Sequence, residues 1–153
     1  ICLEKNIDYD LKSIDVYPKI ESNKQNKIFI VDTLGELGNI YSIASLVFVG
    51  GSLNKGCAGG HNIIEPMMFK KPVVVGKETS NFSDVINDLY NNKGIFIIKD
   101  GLDLKKIIIN FLLSKKNNNN IYTEYANKSF NLVKLKKQKI KDRYFSLIDK
   151  YIN

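Results

Sequence analysis

A glycine-rich loop between an apolar run and a helix start carries the residues best placed for chemistry. Segment 47–66 reads VFVGGSLNKGCAGGHNIIEP, in which the apolar run stops at Gly50 and Gly51 and the loop holds three more glycines before His61. Glycines let a backbone approach a ligand closely and adopt positive φ. The free N–H groups at a helix start favour negative charge. The pattern therefore predicts an anion site.

The spacing of these glycines narrows the kind of anion. It matches neither G-x-G-x-x-G nor G-x-x-x-x-G-K-[ST], which excludes the dinucleotide fingerprint and the ATP P-loop. We therefore expect a different phosphate ligand.

The remaining reactive residue types offer little else. His61 is the only histidine, so a histidine-based metal site lacks a second ligand and no Ser/His triad stands out. We expect His61 to pack or to donate to a phosphate, and we expect no metal. Cys57 lies in the glycine loop without a neighbour that would activate it, and with Cys2 it is too few for a disulfide framework.

The charge of the chain is uneven. The net charge is +7 over 153 residues, and segment 105–150 holds twelve Lys/Arg against three acids, or +9. Such a patch suits nucleic acid, an anionic membrane surface or an anionic substrate, while the alternative is a solvated helix face. No signal peptide and no apolar run of about 20 residues are present, which indicates a cytoplasmic location.

Short apolar runs alternate with helical patterns along the chain. The alternation predicts an α/β fold, a Rossmann-like parallel sheet with helices on both faces. Segment 1–26 is poorly patterned, and 121–152 predicts a long basic C-terminal helix or helix pair. Ligands bind beyond the carboxyl ends of parallel strands, so we expect the loops after the first three strands to form one site. The predicted strands are 28–31, 46–49, 72–76 and 94–98, and the predicted helices before the last are 36–45, 61–71, 81–89 and 102–113.

Three motifs in order give the chain a family resemblance. DTLGELGNIYSIASLVFVGGS, GGHNIIEP and KPVVVGKETSNFSDV resemble the C-terminal half of the 3-deoxy-D-manno-octulosonic acid (Kdo) transferases. The resemblance implies a GT-B glycosyltransferase that moves Kdo from CMP-Kdo to a lipid A precursor in lipopolysaccharide biosynthesis. It also implies a place at the cytoplasmic face of the inner membrane, with attachment that is peripheral or through a missing N-terminal part.

The resemblance also implies which residues contact the donor. Asn62 and Glu65 are three residues apart on a helix start, so their side chains share a face and could hold ribose hydroxyls. The same pair could instead form a capping box, which is purely structural. The candidates for the sugar are Thr79 and Asn81, of which Asn81 could also only cap a helix. The implied nucleotide contacts are Leu34, Gly35, Glu36, Gly51, Ser52, Gly59, Gly60, His61, Asn62, Ile63, Ile64 and Glu65.

The chain departs from the family in three respects. The loop from Ser52 to Gly59 is slightly longer than usual, and Ile63 stands where the family often has proline. The family's general base is an N-terminal glutamate, and a Pro-Arg contact to CMP also lies upstream, so both would precede Ile1. Residues 1–153 are thus expected to be a single donor-nucleotide-binding domain without the acceptor domain, with no catalytic residue, and inactive alone. The resemblance implies no cofactor and no metal.

Two other functions stay open at this point. One is a GT-B transferase that uses a UDP-sugar, which competition between CMP and UDP would separate. The other is a non-catalytic nucleotide-binding or membrane-docking remnant. The expected partners are CMP-Kdo, a lipid A precursor and an anionic membrane surface, with nucleic acid not expected.

Overall fold

The computed structural model describes Glu4, residues 9–11, residues 28–54 and residues 60–152. The chain divides into two compact units, Ile1–Ile40 and Tyr41–Asn153. Each is described by itself. Among the predicted site residues, Gly59 lies outside the described residues, as does Cys57.

The first unit contains a pair of short parallel strands. Strand β1 (Tyr9–Leu11) pairs with β2 (Ile28–Ile30), with Tyr9 opposite Ile28. The predicted strand at 28–31 is therefore confirmed. It belongs to this two-stranded sheet and not to the sheet of the later strands. An apolar run predicts that a strand forms, whereas the strand with which it pairs depends on contacts between segments far apart in the sequence.

The second unit is built on a parallel three-stranded sheet in the order β3-β4-β5. Strand β3 (Val47–Val49) lies beside β4 (Val73–Gly76), which lies beside β5 (Phe96–Ile98). All four residues of β4 are buried, and since successive side chains point to opposite faces, both faces of this strand are covered. The predicted α/β class with a parallel sheet is confirmed.

The described residues form five α-helices. None of them, within the described residues, combines the length and the apolar character needed to cross a bilayer. They are α1 (Leu37–Ile43), α2 (Ile64–Met68), α3 (Ser83–Asn91), α4 (Gly101–Lys116) and α5 (Ile121–Ile152).

Two helices differ from the sequence expectation at their starts. Helix α2 is five residues long, much shorter than the predicted 61–71. Helix α3 follows a 3₁₀ turn (Ser80–Phe82), and its N-cap is Phe82 with no side-chain cap, so the alternative in which Asn81 caps it is wrong. The 3₁₀ turn uses the residues that would have formed the cap. The C-terminal segment is a single helix of 32 residues.

The core of the second unit joins the sheet to α2, α3 and α5. Its centre is formed by branched and sulfur-containing side chains that are almost fully buried. Burial of such apolar surface is the main favourable term in folding. The long helix α5 contributes Val133 to this core, and its first turns add Tyr125, whose ring stacks on Phe96 with centroids 4.1 Å apart. The buried cluster comprises Val47, Val49, Ile63, Met67, Val73, Val75, Ile86, Leu89, Ile95 and Val133.

Candidate functional site

Ser52 joins the loop after β3 to the loop after β4. Its hydroxyl donates to the Val49 carbonyl at 2.9 Å and accepts from the Gly76 N–H at 2.8 Å, while its carbonyl accepts from the Glu78 N–H at 2.8 Å. The side chain is 1% exposed. Its hydroxyl is thus engaged inside the protein, and Ser52 holds the loop after β3 against the end of β4.

Gly76 is required by the same junction. A Cβ at position 76 would lie 2.1 Å from the Ser52 carbonyl oxygen, far inside van der Waals contact. The strand end can therefore approach the neighbouring loop this closely only without a side chain.

The glycine loop is closed at its base by backbone hydrogen bonds. The Gly60 N–H donates to the Gly51 carbonyl at 3.0 Å, and the His61 N–H donates to the Gly50 carbonyl at 3.4 Å. Gly51 and Gly60 have φ of +73° and +91°, a region that favours glycine. The N–H groups of Gly60 and His61, which the sequence analysis offers to a phosphate, are thus bonded inside the loop in this structure.

His61 lies directly over Gly51. A Cβ on Gly51 would be 3.1 Å from Cδ2 and 3.2 Å from Nε2 of the His61 ring. The His61 side chain is nevertheless exposed. The imidazole is therefore placed against the loop backbone with an edge open to a ligand.

The start of α2 does not form the capping box. Its N-cap is Ile63 without a side-chain hydrogen bond, and the Asn62 Oδ1 atom accepts from the Ile64 N–H at 2.9 Å in a local turn. Because Asn62 precedes the N-cap, Glu65 is the second helical residue and not the third, and the box geometry is lost. The side chain of Ile63 is 1% exposed, so it packs in the core.

Asn62, just before the helix, and Glu65, in its first turn, are both exposed to solvent. Tyr41, in α1, is close enough for the Glu65 carboxylate to act on it. Burial, together with the negative charge of Glu65, raises the pKa of the Tyr41 phenol above its usual value of 10.0. Tyr41 is thus a neutral hydroxyl near the site at neutral pH. Sequence reasoning did not single out Tyr41, because its approach to Glu65 spans 24 positions.

The candidate sugar contacts follow β4. Thr79 accepts the Phe82 N–H at 3.0 Å through its carbonyl and is half-buried, while the side chain of Asn81 is exposed. The Ser52–Gly76 junction places this turn beside the glycine loop, since a Cβ added to Gly60 would lie 3.9 Å from the Glu78 carbonyl oxygen. The structure therefore brings the loops after β3 and β4 together.

The third predicted loop, which holds Leu34, Gly35 and Glu36, belongs to the first compact unit. Gly35 has φ of +83°, and its neighbour Leu34 is fully exposed. The Glu36 carboxylate accepts from the Asn39 amide at 3.3 Å, and the Glu36 carbonyl accepts the Ile40 N–H at the start of α1.

Metal chemistry has no visible centre in the part of the chain that the structure describes. Within residues 28–54 and 60–152, no group of three or more His, Cys, Asp or Glu side chains could hold an ion.

Comparison with known proteins identifies the family. The family model for glycosyl transferases group 1 matches residues 17–129. The chain belongs to the group 1 glycosyl transferases. The matched residues include β3 and β4, which precede and follow the glycine loop, and the first turns of α5.

Within the group 1 glycosyl transferases, the chain is similar to Kdo transferases. It is 33% identical to 3-deoxy-D-manno-octulosonic acid transferase of Rickettsia prowazekii over 83% of this chain and 26% of the relative. It is 37% identical to the enzyme of the same name from Haemophilus influenzae over 61% of this chain and 22% of the relative. The chain thus spans roughly a quarter to a third of the length of such relatives.

A solved structure shares the fold. The C-terminal CMP-Kdo binding domain of WaaA from Acinetobacter baumannii matches with a TM-score of 0.71 and 24% identity, over 86% of this chain and 64% of that one. The resemblance to the C-terminal half of a Kdo transferase is therefore confirmed, and the GT-B-type architecture with it.

Proposed function

We propose that this chain binds the CMP moiety of CMP-Kdo as the donor-binding part of a Kdo transferase. The observation that carries the proposal is the exposed pair Asn62 and Glu65 beside a glycine loop that is locked at Ser52. The named relatives and the CMP-Kdo binding domain with the same fold support this choice of ligand.

The exposed polar atoms suggest how the ribose is held. The Glu65 carboxylate can accept hydrogen bonds from two hydroxyls, which is the natural role of an ionised acid. Asn62 uses its Oδ1 on Ile64 and leaves its amide nitrogen to donate. An acceptor and a donor at the same helix start suit a vicinal diol.

In this proposal the phosphate binds on the side of the loop where the His61 imidazole lies. His61 lies over Gly51 and is exposed, so its imidazole can donate a hydrogen bond to an anion. Thr79 and Asn81, on the neighbouring turn, remain the proposed contacts to the sugar.

The proposed transfer reaction also needs groups outside the residues that the structure describes. We propose transfer of Kdo to a lipid A precursor, with CMP as leaving group and without a metal, at the cytoplasmic face of the inner membrane. Contacts to CMP stabilise the charge that develops on its phosphate. The base that deprotonates the acceptor hydroxyl is proposed to lie in the part of the relatives that this chain does not match.

The test is calorimetric titration of CMP into the chain and into a Glu65→Ala variant. Removing the carboxylate leaves ribose hydroxyls without acceptors, so we expect a loss of about 1–3 kcal/mol in binding free energy. Asp149→Ala is the matched control, because it removes one carboxylate from the far end of α5. Equal CMP affinity in the Glu65→Ala variant and the wild type would remove the ligand role.

Competition separates the nearest other donor class. UDP carries a second phosphate and a different base, so we expect CMP to displace bound nucleotide at lower concentration than UDP. Tighter binding of UDP would assign the chain to a UDP-sugar transferase instead.

A further inference from the structure

Two polar groups near the start of α2 have no bonding partner in the described part of the chain. They are the hydroxyl of Tyr41, which is half-buried in the last turn of α1, and the carboxylate of Glu65, which is exposed in the first turn of α2. Neither forms a hydrogen bond or an ion pair with any described residue. Both groups are therefore available to a ligand.

Contacts between α1 and the end of α2 fix where the Tyr41 ring lies. Its centroid is 6.0 Å from that of the Phe69 ring, with an angle of 48° between the two planes. The Lys71 ammonium group donates to the Ser42 carbonyl at 2.9 Å, which ties the chain next to Tyr41 to the same segment. The tyrosine is also packed against the buried cluster of the second unit. Its ring is therefore held by packing and not by a bond of its hydroxyl.

The contact with Phe69 brings the phenol close to Glu65. Phe69 is the C-cap of α2 and follows Glu65 by four residues, so the two side chains lie on one side of the helix. A ring that packs on Phe69 on this side has the carboxylate one helical turn away. Burial and, as the second cause, the negative charge of Glu65 raise the pKa of the Tyr41 phenol above its usual value of 10.0. The phenol is thus protonated at neutral pH and close to a carboxylate.

A hydroxyl group is the ligand chemistry that fits between these two side chains. A phenol donates a hydrogen bond, whereas an ionised carboxylate only accepts. One ligand hydroxyl can accept from Tyr41 and donate to Glu65 at the same time, whereas a phosphate would be repelled by the carboxylate. The groups of CMP that meet this requirement are the 2′ and 3′ hydroxyls of its ribose.

We propose that Tyr41 is a specificity-determining residue of the nucleotide site, where its phenol donates to the ribose hydroxyl that in turn donates to Glu65. The inference rests on the proposed function, because it assigns a further contact to the same nucleotide. A site that bonds a hydroxyl from both sides rejects the analogue that lacks it, since the two polar groups then lose their shared partner. The site therefore selects ribonucleotides over deoxyribonucleotides.

The test is calorimetric titration of CMP, 2′-deoxy-CMP and 3′-deoxy-CMP into the wild type and a Tyr41→Phe variant. The substitution removes the hydroxyl and keeps the ring on Phe69, so the circular dichroism and the melting temperature should not change. The affinity for CMP should fall about three- to tenfold, which is the effect of one hydrogen bond. The deoxynucleotide that lacks the bridging hydroxyl should bind both proteins equally, and more weakly than CMP binds the wild type.

Tyr90→Phe is the matched control. It removes the same atom from a residue that is 60% exposed in the last turn of α3. Helix α3 leads into the start of β5, so this turn lies at the edge of the sheet opposite the glycine loop. We expect the Tyr90→Phe variant to bind all three nucleotides as the wild type does.

A double variant checks that Tyr41 and Glu65 act on one hydroxyl. Because each single substitution breaks the same bridge, Tyr41→Phe should cost less CMP affinity in a Glu65→Ala background than in the wild type. We expect its effect there to shrink to less than about twofold. An undiminished loss would mean that the phenol contacts another part of the nucleotide, and it would overturn the inference.

The outcomes separate this inference from the proposed function. If CMP binds the wild type and the Tyr41→Phe variant with equal affinity, the role of Tyr41 is refuted while CMP binding stands. Equal losses for all three nucleotides would refute it as well, because the phenol would then act on the phosphate, the base or the fold. No binding of CMP to the wild type would refute the proposed function and this inference with it.

Discussion

At the scale of residues, Gly50 and Gly51 are neighbours that differ in what a side chain would meet. Gly50 has nothing within 4 Å of an added Cβ, whereas Gly51 has φ of +73° and the His61 ring at 3.1 Å. We expect Gly51→Ala to destabilise the fold by about 1–2 kcal/mol through its backbone conformation alone and to displace His61. The Gly50→Ala variant is the matched control.

Thermal unfolding and CMP titration of both alanine variants check this prediction. Gly51→Ala should lower the melting temperature and the affinity for CMP, while Gly50→Ala should change both little. A Gly51→Ala variant that binds CMP as the wild type does would show that the position of His61 is irrelevant to the ligand.

The residue types of this site could be predicted better than their bonds. A run of glycines before His61 indicates close backbone approach, and the structure confirms positive φ at Gly51 and Gly60. The role of Ser52 could not be predicted, because its hydroxyl meets the N–H of a residue 24 positions away. The failed capping box has a similar cause, since Ile63 is pulled into the core and shifts the helix start.

At the scale of elements, three helices in the described part of the chain are followed by left-handed residues that are not glycine. Lys70, Lys93 and Asn118 have φ of 53°, 53° and 52°. After α3, the Lys93 N–H donates to Tyr90 and the Gly94 N–H donates to Leu89, which is the Schellman arrangement. Glycine is the usual residue at such a position.

Lys93→Gly should therefore stabilise the protein. Removing the strained side chain relieves about 1 kcal/mol, and part of that is offset by the extra freedom of glycine in the unfolded chain. We expect a net gain of about 0.5–1 kcal/mol in the free energy of unfolding. For a chain of this size, each kcal/mol raises the melting temperature by about 2–4 °C. Asn92→Gly, one residue earlier at a φ of −92°, should instead lower the melting temperature. A lower melting temperature for Lys93→Gly would contradict this account of the helix end.

The elements themselves followed largely from local pattern. The runs of Val and Ile predicted β3 and β4, and the apolar stripe of α5 predicted a helix over its full length. The sequence left open whether 121–152 is one helix or two. The stripe also could not show where burial stops, because exposure beyond Val133 depends on how far the rest of the fold extends.

At the scale of the whole molecule, alternating strands and helices indicate the α/β class but not the partner of each strand. The single predicted sheet is realised as β3-β4-β5 together with a separate pair, β1-β2. Strand pairing is decided by contacts between distant segments, which a periodic pattern does not contain. The family resemblance supplied what the pattern could not, namely the hypothesis that the nucleotide is CMP.

The central claim is that the loops after β3 and β4 form a site for CMP. The most direct measurement is a titration of the ¹⁵N-labelled chain with CMP, followed by two-dimensional amide NMR. We expect saturable shifts in the amides of Gly51, of residues 60–65 and of Thr79, with much smaller shifts at the same concentration of UDP. Shifts confined to the lysine-rich half of α5, or equal shifts with UDP, would contradict the claim.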